Sequence, residues 1–317
     1  MQPGNQNEIA TIRHADLETL LRQGDSVILG KSRQIRQAVA CLLARGHLLI
    51  EDLPGVGKTT LAHLLAKLFG LEFRRIQFTS DMLPADIIGA TVYEHRTGGF
   101  RFHAGPVFTQ LVLADEVNRA TPKTQSSLLE AMEERQVTVE GETRQLPNPF
   151  FVVATQNPGT QIGTFPLPES QLDRFLMRIE LGYPGHSAER DLLMGQDRRA
   201  LLEGLAPVMD AARLLQLQEA VAAVHTAPAV IDYVQALVSH TRQNVGFQHG
   251  LSPRAGLALL RAARAWTLLE GRDAVLPEDI QAVFPAVVGH RLEPMDAVAG
   301  TRRSDHALRI LQAVTVP

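Results

Sequence analysis

The residues between Gly55 and Thr60 have the types and spacing to hold a polyphosphate. A phosphate chain can lie on backbone N–H groups only where no bulky side chain covers them, and Gly55 and Gly57 supply that bare, φ-permissive backbone. Lys58 is then placed to reach the β- and γ-phosphates, and the Thr59 hydroxyl to hold Mg²⁺. The usual pattern has a glycine five residues before Gly57, where this chain has Asp52. Pro54-Gly55-Val56-Gly57-Lys58-Thr59, followed by Thr60, nevertheless keeps the residues that meet phosphate.

A second group of candidates supplies acids and an amide. Leu111-Val112-Leu113-Ala114 runs into Asp115-Glu116, the form of a buried strand that delivers two carboxylates at its tip. Downstream of a phosphate loop, Asp115 suits the hydration shell of Mg²⁺ and Glu116 suits the water that attacks the γ-phosphate. Asn157 ends another apolar run, Phe150-Phe151-Val152-Val153-Ala154, and could donate to the γ-phosphate or that water. A transferring phosphoryl group also needs a fixed cation, often from a neighbouring molecule. Arg174 and Arg254 are the leading candidates, with Arg119, Arg135 and Arg178 as competitors.

These residues need strands that end together and helices that begin there. His47–Ile50 reads as a strand, and Leu61, Leu64, Leu65 and Leu68 recur at helical spacing after the loop. A helix starting near Lys58 adds its positive dipole end. Before it, a short helix is expected at Asp16–Leu21, after a frayed segment of about ten residues, and another at 32–44. Gly30-Lys31-Ser32 between them is a decoy, since no earlier glycine stands at the required spacing. Further strands are expected at 73–78, 111–114, 150–154 and 176–179, with a helix at 123–134 opened by Thr121-Pro122. Two hairpins, 87–93 with 99–103 around a turn at 96–98, and 136–146, lie outside the main sheet, the first inserted into a helix. A loop rich in Gly and Pro, 158–168, precedes a short helix carrying Leu172 to Phe175. The alternation predicts an α/β fold with a mostly parallel sheet of five strands, covered on both faces.

Gly182-Tyr183-Pro184-Gly185 breaks this pattern. Beyond it helical periodicity dominates, with helices expected at 187–203, 210–224, 227–243, 253–269 and 277–289. Ser252-Pro253-Arg254 is a strong helix start. Two domains follow, 1–184 around the nucleotide and 185–317 as a small all-α lid.

Composition narrows the function classes. The chain has 317 residues, 45% of them hydrophobic and 21% charged, as an ordinary globular protein with a real core does. Its 31 Lys and Arg against 34 Asp and Glu argue against a nucleic-acid partner. Pairs such as Arg74-Arg75, Arg198-Arg199 and Arg302-Arg303 read as solvated faces. The one cysteine, Cys41, sits on an apolar face and excludes a disulfide framework. Eleven histidines show no paired metal-ligand spacing, and Trp266 reads as core. Without an apolar leader or a stretch of 18 apolar residues, cytoplasmic location and no membrane insertion are expected.

Leu53–Thr59, Leu113–Ala120, Glu134–Val139, Ala154–Pro158, Leu167–Phe175 and Leu251–Arg254 together resemble the MoxR family of AAA+ ATPases, over about 26 to 310. The resemblance implies a P-loop AAA+ core followed by a helical lid, with ATP or ADP and Mg²⁺ as ligands. It implies Walker A at Lys58 and Thr59, Walker B at Asp115 and Glu116, and sensor 1 at Asn157. Arg174 matches the arginine finger, Arg254 matches sensor 2, and the segment with Ile28 and Gly30 matches one near the adenine. The hairpins at 87–103 and 136–146 match the helix-2 insert and the pre-sensor-1 hairpin. Whether Arg254 serves its own nucleotide or a neighbour's is left open by the displaced lid of the helix-2-insert group. Lys31 stands where a glutamine is common. The family implies a homo-oligomeric ring, usually a hexamer, hydrolysing ATP to remodel or mature a protein client, often with a von Willebrand factor A domain partner. A nucleotide-gated binding module and a DNA-directed motor are the alternatives.

Overall fold

Four apolar runs of the sequence and the alternating Phe73–Gln77 become five strands of one sheet, and their alternation divides the core between its two faces. The computed structural model describes residues 3–96, 98–157, 164–195, 198–243, 246–295 and 303–316. Helices α1 (Pro3–Val27) and α2 (Ser32–Leu43) lead into β1 (His47–Glu51) and α3 (Lys58–Leu68). Then come β2 (Phe73–Gln77), α4 (Pro84–Ile88), the hairpin β3 (Gly89–Glu94) and β4 (Gly99–Ala104), and β5 (Leu111–Asp115). After a 3₁₀ turn at Val117–Arg119 follow α5 (Pro122–Glu134), the hairpin β6 (Gln136–Val139) and β7 (Glu142–Gln145), and β8 (Phe151–Gln156). The one-turn α6 (Glu169–Leu172) precedes β9 (Phe175–Ile179).

The sheet order is β2-β5-β8-β1-β9, and every pairing is parallel. Successive residues of a strand point to opposite faces. Leu48, Ile50, Leu111, Leu113 and Val153 therefore join the core beneath α1 to α3, whereas Leu49, Val112, Ala114, Val152 and Ala154 join the one beneath α4 and α5. Full burial of each Leu, Ile or Val among them is worth about 1.5–3 kcal/mol. Because the strands are parallel, the tips at Glu51, Gln77, Asp115 and Gln156 all lie at one edge of the sheet. That edge is where an open α/β sheet offers a crevice.

After Ile179 every regular element among the described residues is a helix: α7 (His186–Met194), α8 (Arg198–Glu203), α9 (Ala211–Ala223), α10 (Pro228–Gln243), α11 (Pro253–Leu269), α12 (Pro277–Val288) and α13 (Arg303–Ala313). Ser252 caps α11 as its sequence demands, accepting the Ala255 N–H at 3.1 Å. The buried apolar side chains of α8 to α13 join α2 and β9 in one continuous cluster, and Trp266 packs against it from a half-buried position.

Several expectations need correction. The chain is helical from Pro3, where proline suits a first helical turn, so α1 extends well beyond Asp16–Leu21. Ile87 and Ile88 end α4 and are not strand residues; Asp86 accepts the Leu83 N–H at 2.8 Å and closes this single turn. Gly89, at φ 92°, switches the chain from helix to hairpin, and a Cβ there would stand 2.3 Å from the His103 carbonyl oxygen. The hairpin has a helix on its N-terminal side only, since turns and bends fill the stretch before β5. Asp173 and Arg174 form a turn between α6 and β9, outside the helix. The helix expected at 187–203 is two, broken at Gly195, whose backbone is extended. Helix α13 adds an element, with Ala307 and Ile310 buried. Thr97, residues 158–163 of the Gly and Pro-rich loop, and Arg302 lie outside the described residues.

Candidate functional site

The turn from β1 into α3 leaves backbone donors facing open space. Gly55 and Gly57 adopt φ 84° and 98°, and no atom lies within 4 Å of where a Cβ would stand on either. Glycine is required here for conformation and for a bare surface. Gly57 is the N-cap of α3 and provides no side-chain cap, so the first N–H groups of the helix stay available to an anion. Pro54, Gly55, Gly57, Lys58, Thr59, Thr60, Asp115, Glu116 and Asn157 line a cavity of about 330 Å³ at this edge.

Neighbouring residues of an extended strand would send Asp115 and Glu116 to opposite faces. The structure avoids this by ending β5 at Asp115 and turning Glu116 into the left-handed region, φ 57° and ψ 47°. Such a non-glycine residue costs about 1–3 kcal/mol and persists where the surroundings hold it. Here the Glu116 N–H donates to Thr155 Oγ1 at 2.8 Å, and that hydroxyl donates to Asp115 Oδ1 at 2.6 Å. The Glu116 carboxylate accepts from Gln77 Nε2 at 3.0 Å, Arg119 at 2.8 Å and Asn157 Nδ2 at 3.3 Å. Arg75 pairs with Asp115 at 2.6 Å.

Lys58 is buried, and its Nζ donates to the Asp52 carbonyl at 2.5 Å and Asn157 Oδ1 at 2.9 Å. Burial lowers its pKa from the ordinary lysine value, while Asp52, Asp115 and Glu116 act in the opposite sense. Asn157 thus bridges lysine and glutamate, with its amide oriented by both.

Asp52 explains its own departure from glycine. Its Oδ2 accepts the Leu181 and Gly182 N–H groups, both at 2.6 Å, and its Oδ1 accepts the Leu53 N–H at 2.8 Å. The carboxylate fastens the phosphate loop to the segment after β9. Lys31 adds a second tie there, donating to the Tyr183 carbonyl at 2.7 Å.

Other predicted residues stand elsewhere. Val56 packs against the core, Ile28 is buried in the same cluster, and Gly30 makes a left-handed turn at φ 70°; none of the three lines the phosphate cavity. Arg178 pairs with Glu51 at 2.5 Å. Arg174 and Arg254 lie together at the other edge of the sheet. Arg174 Nε is 2.8 Å from Glu133 Oε2, and Arg254 contacts Glu133 at 3.3 Å and Asp173 at 3.7 Å. A cavity of about 140 Å³ there is also lined by Arg45, Arg135, Arg261 and Arg291. Burial and neighbouring arginines hold the pKa values of Arg135 and Arg261 below the ordinary value. Arg174 immediately precedes β9, while the phosphate loop follows the end of parallel β1. A five-residue strand at ~3.3 Å per residue puts the two about 16 Å apart.

Thr155, Gln77, Arg75 and Asp52 were not singled out for these roles from the sequence. The first three stand at or near strand tips beside the acids, which is the one signal that could have marked them.

The donor set fits Mg²⁺: the Thr59 hydroxyl and the Asp115 carboxylate supply oxygen alone, on the cavity that would hold the phosphates. Among the described residues no group of three or more His, Cys, Asp or Glu could hold a metal ion. No helix among them is long and apolar enough to cross a membrane.

Comparison with known proteins agrees with this geometry. A model of the ATPase family associated with various cellular activities (AAA) matches residues 47–177, and an AAA lid domain model matches 239–309. The chain is 39% identical to Chaperone MoxR1 of Mycobacterium tuberculosis, over 99% of this chain and 86% of that protein. It is 36% identical to Protein MoxR of Methylorubrum extorquens, over 93% of each. A crystal structure from Cytophaga hutchinsonii, assigned as an ATPase, matches with a TM-score of 0.88 and 34% identity, covering 99% of this chain and 98% of that one. With a P-loop α/β core, a helical lid and these relatives along nearly its whole length, the chain belongs to the MoxR family of AAA+ ATPases.

Proposed function

We propose that the protein hydrolyses ATP to ADP and phosphate at the cavity bounded by the phosphate loop and Glu116, and uses the cycle to remodel a protein client. The observation that carries this reading is the convergence of Lys58, Thr59, Asp115, Glu116 and Asn157 on one cavity. The phosphate chain lies on the N–H groups from Gly55 to Thr60, and Lys58 exchanges its bonds to Asp52 and Asn157 for phosphate oxygens. Glu116, braced from three sides, orients and polarises the attacking water. Asn157 holds the γ-phosphate or that water through its amide. Thr59 and Asp115 would hold Mg²⁺, which would supply charge neutralisation on the phosphates.

Charge on the transferring group calls for a fixed arginine beside Lys58; no arginine is among the described residues that line this cavity, and Arg174 and Arg254 stand at the opposite edge. Each subunit therefore lends these arginines to a neighbour's nucleotide, so Arg254 acts in trans. Such head-to-tail contacts close into a ring, a hexamer on the family's pattern. The hairpin β3–β4 exposes Val92, Tyr93 and Phe100, an apolar tip that suits a protein client, a von Willebrand factor A domain protein among the candidates. Relatives carrying the name chaperone support the same reading.

A nucleotide-gated assembly module is the second reading, favoured by the closed network that Lys58, Asn157 and Glu116 already form. Steady phosphate release by the wild-type protein decides between them, since negligible turnover would leave the module. The E116Q protein held in ATP should retain a protein partner. Stimulation of turnover by single-stranded DNA, with strongly salt-dependent binding, would turn the reading to a DNA motor.

A further inference from the structure

The turn carrying Arg174 is gripped by a residue of the helical lid. Arg291, just beyond α12, has a side chain only 5% exposed. Its Nε donates to Asp173 Oδ1 at 2.7 Å, and one terminal nitrogen donates to the Asp173 carbonyl at 3.1 Å and the Phe175 carbonyl at 2.7 Å. The other terminal nitrogen donates to the Leu176 carbonyl at 3.2 Å and to the Val287 carbonyl. All five N–H donors of the guanidinium are thereby used. Three of the five acceptor atoms, on residues 173 and 175, flank Arg174 in sequence. His290 adds a contact from its Nε2 to the Phe175 carbonyl at 3.0 Å.

The same contacts join a continuous chain of charge. Arg291 pairs with Asp173, Asp173 faces Arg254, Arg254 contacts Glu133, and Glu133 pairs with Arg174. The three arginines exceed the two carboxylates by one charge, so the cluster suits an incoming anion. Only Arg291 in this chain is deeply buried; Arg254 is 53% and Arg174 27% exposed. The buried member thus fixes the base on which the two exposed ones stand. The Val287 bond anchors Arg291 to α12, and α12 packs on β9. Displacement of α12 against the sheet must therefore move or break the grip on residues 173–176.

We infer that Arg291 is a positioning residue through which the lid sets where Arg174 stands before a neighbouring subunit's γ-phosphate. This rests on the proposal that Arg174 acts in trans. Arg291 lies far from the phosphate loop of its own chain, so its loss leaves ATP binding by that subunit intact. Misplacement of a catalytic group by about 1 Å is enough to cost roughly a hundredfold in rate. R291K keeps the charge but replaces the planar five-donor fork with a single three-donor ammonium, which cannot make the bonds to Asp173, Phe175, Leu176 and Val287 together.

The test uses mixed assemblies of the full chain. K58A removes nucleotide binding but leaves the arginine face whole, whereas R291A or R291K leaves the phosphate loop whole. Each variant alone should turn over ATP about a hundredfold more slowly than wild type, the Arg291 variants with ATP affinity within about twofold of it. Mixing equal amounts of K58A and R291A should restore activity, since about one quarter of head-to-tail interfaces then join an intact loop to an intact arginine face. A K58A and R174A mixture is the control for the trans reading itself. Recovery in both mixtures supports the role of Arg291. Recovery in the control alone overturns it, leaving Arg291 as internal structure. Failure of the control overturns the trans reading, and the role of Arg291 with it. If R291A does not fold, R291K gives the same comparison, and a wild-type rate for folded R291K overturns the inference.

Discussion

Replacing Asp52 with the glycine usual at that position should destabilise this protein. The carboxylate is buried and accepts three backbone N–H groups, two of them at 2.6 Å from Leu181 and Gly182. The D52G change leaves these donors without their acceptor, and the Leu181 amide belongs to a residue only 2% exposed. An unsatisfied buried donor costs about 1–3 kcal/mol, and the added backbone freedom of glycine costs about 0.5–1 kcal/mol. Together the loss comes to about 4 kcal/mol. At ~2 °C per kcal/mol for a chain of this size, Tm should fall by about 8 °C in a thermal melt without nucleotide. The D52N change should fall between, because an amide oxygen can still accept from Leu181 and Gly182 while its NH₂ group opposes the Leu53 N–H. A D52G protein melting at or above the wild-type temperature would refute the reasoning and show that the loop is held by other contacts.

Two separate buried polar residues, Thr155 and His47, yield further expectations. T155V removes the hydroxyl that accepts the Glu116 N–H and donates to Asp115. Turnover should drop about tenfold or more with ATP affinity little changed, and T155S should rescue it; equal rates for T155V and wild type would count against the brace. Burial pushes the His47 pKa down to about 4 from 6.5, with its Nδ1 accepting the Val152 N–H and its Nε2 facing the Met132 carbonyl. The folded state thus binds fewer protons than the unfolded one, so stability is complete above pH 6.5 and is lost as pH falls towards 4. The shift corresponds to about 3 kcal/mol at most. Denaturant titrations at pH 7 and pH 4.5 should show this loss in wild type and a smaller one in H47Q; identical losses would remove His47 as the source.

Much of the site was legible because its residues follow one rule of parallel sheets. Apolar runs announce buried strands, and the polar residue ending each run stands at a shared edge, so Asp115, Glu116 and Asn157 could be joined to the phosphate loop without coordinates. What stayed hidden depends on contacts distant in sequence. Asp52 meets Leu181 and Gly182 across 129 and 130 positions, and no local pattern reports that. Arg291 reaches Asp173 across 118 positions in the same way. Ile87 and Ile88 misled for a different reason. Their β-branched side chains favour strands, yet Pro84 and Asp86 closed a helical turn first and Ile87 filled the core from it. Gly195 broke the expected helix at 187–203, whereas the spacing of Ala307, Ile310 and Leu311 does carry the signal of α13.

The central claim is that Glu116 polarises the water that cleaves ATP bound at the phosphate loop. Steady phosphate release measured beside ATP affinity, for wild type and for E116Q, tests it most directly. The account predicts loss of turnover by at least about a hundredfold with ATP affinity preserved, since Lys58, Thr59 and the glycine backbone are untouched. An E116Q protein that hydrolyses ATP at the wild-type rate would contradict it.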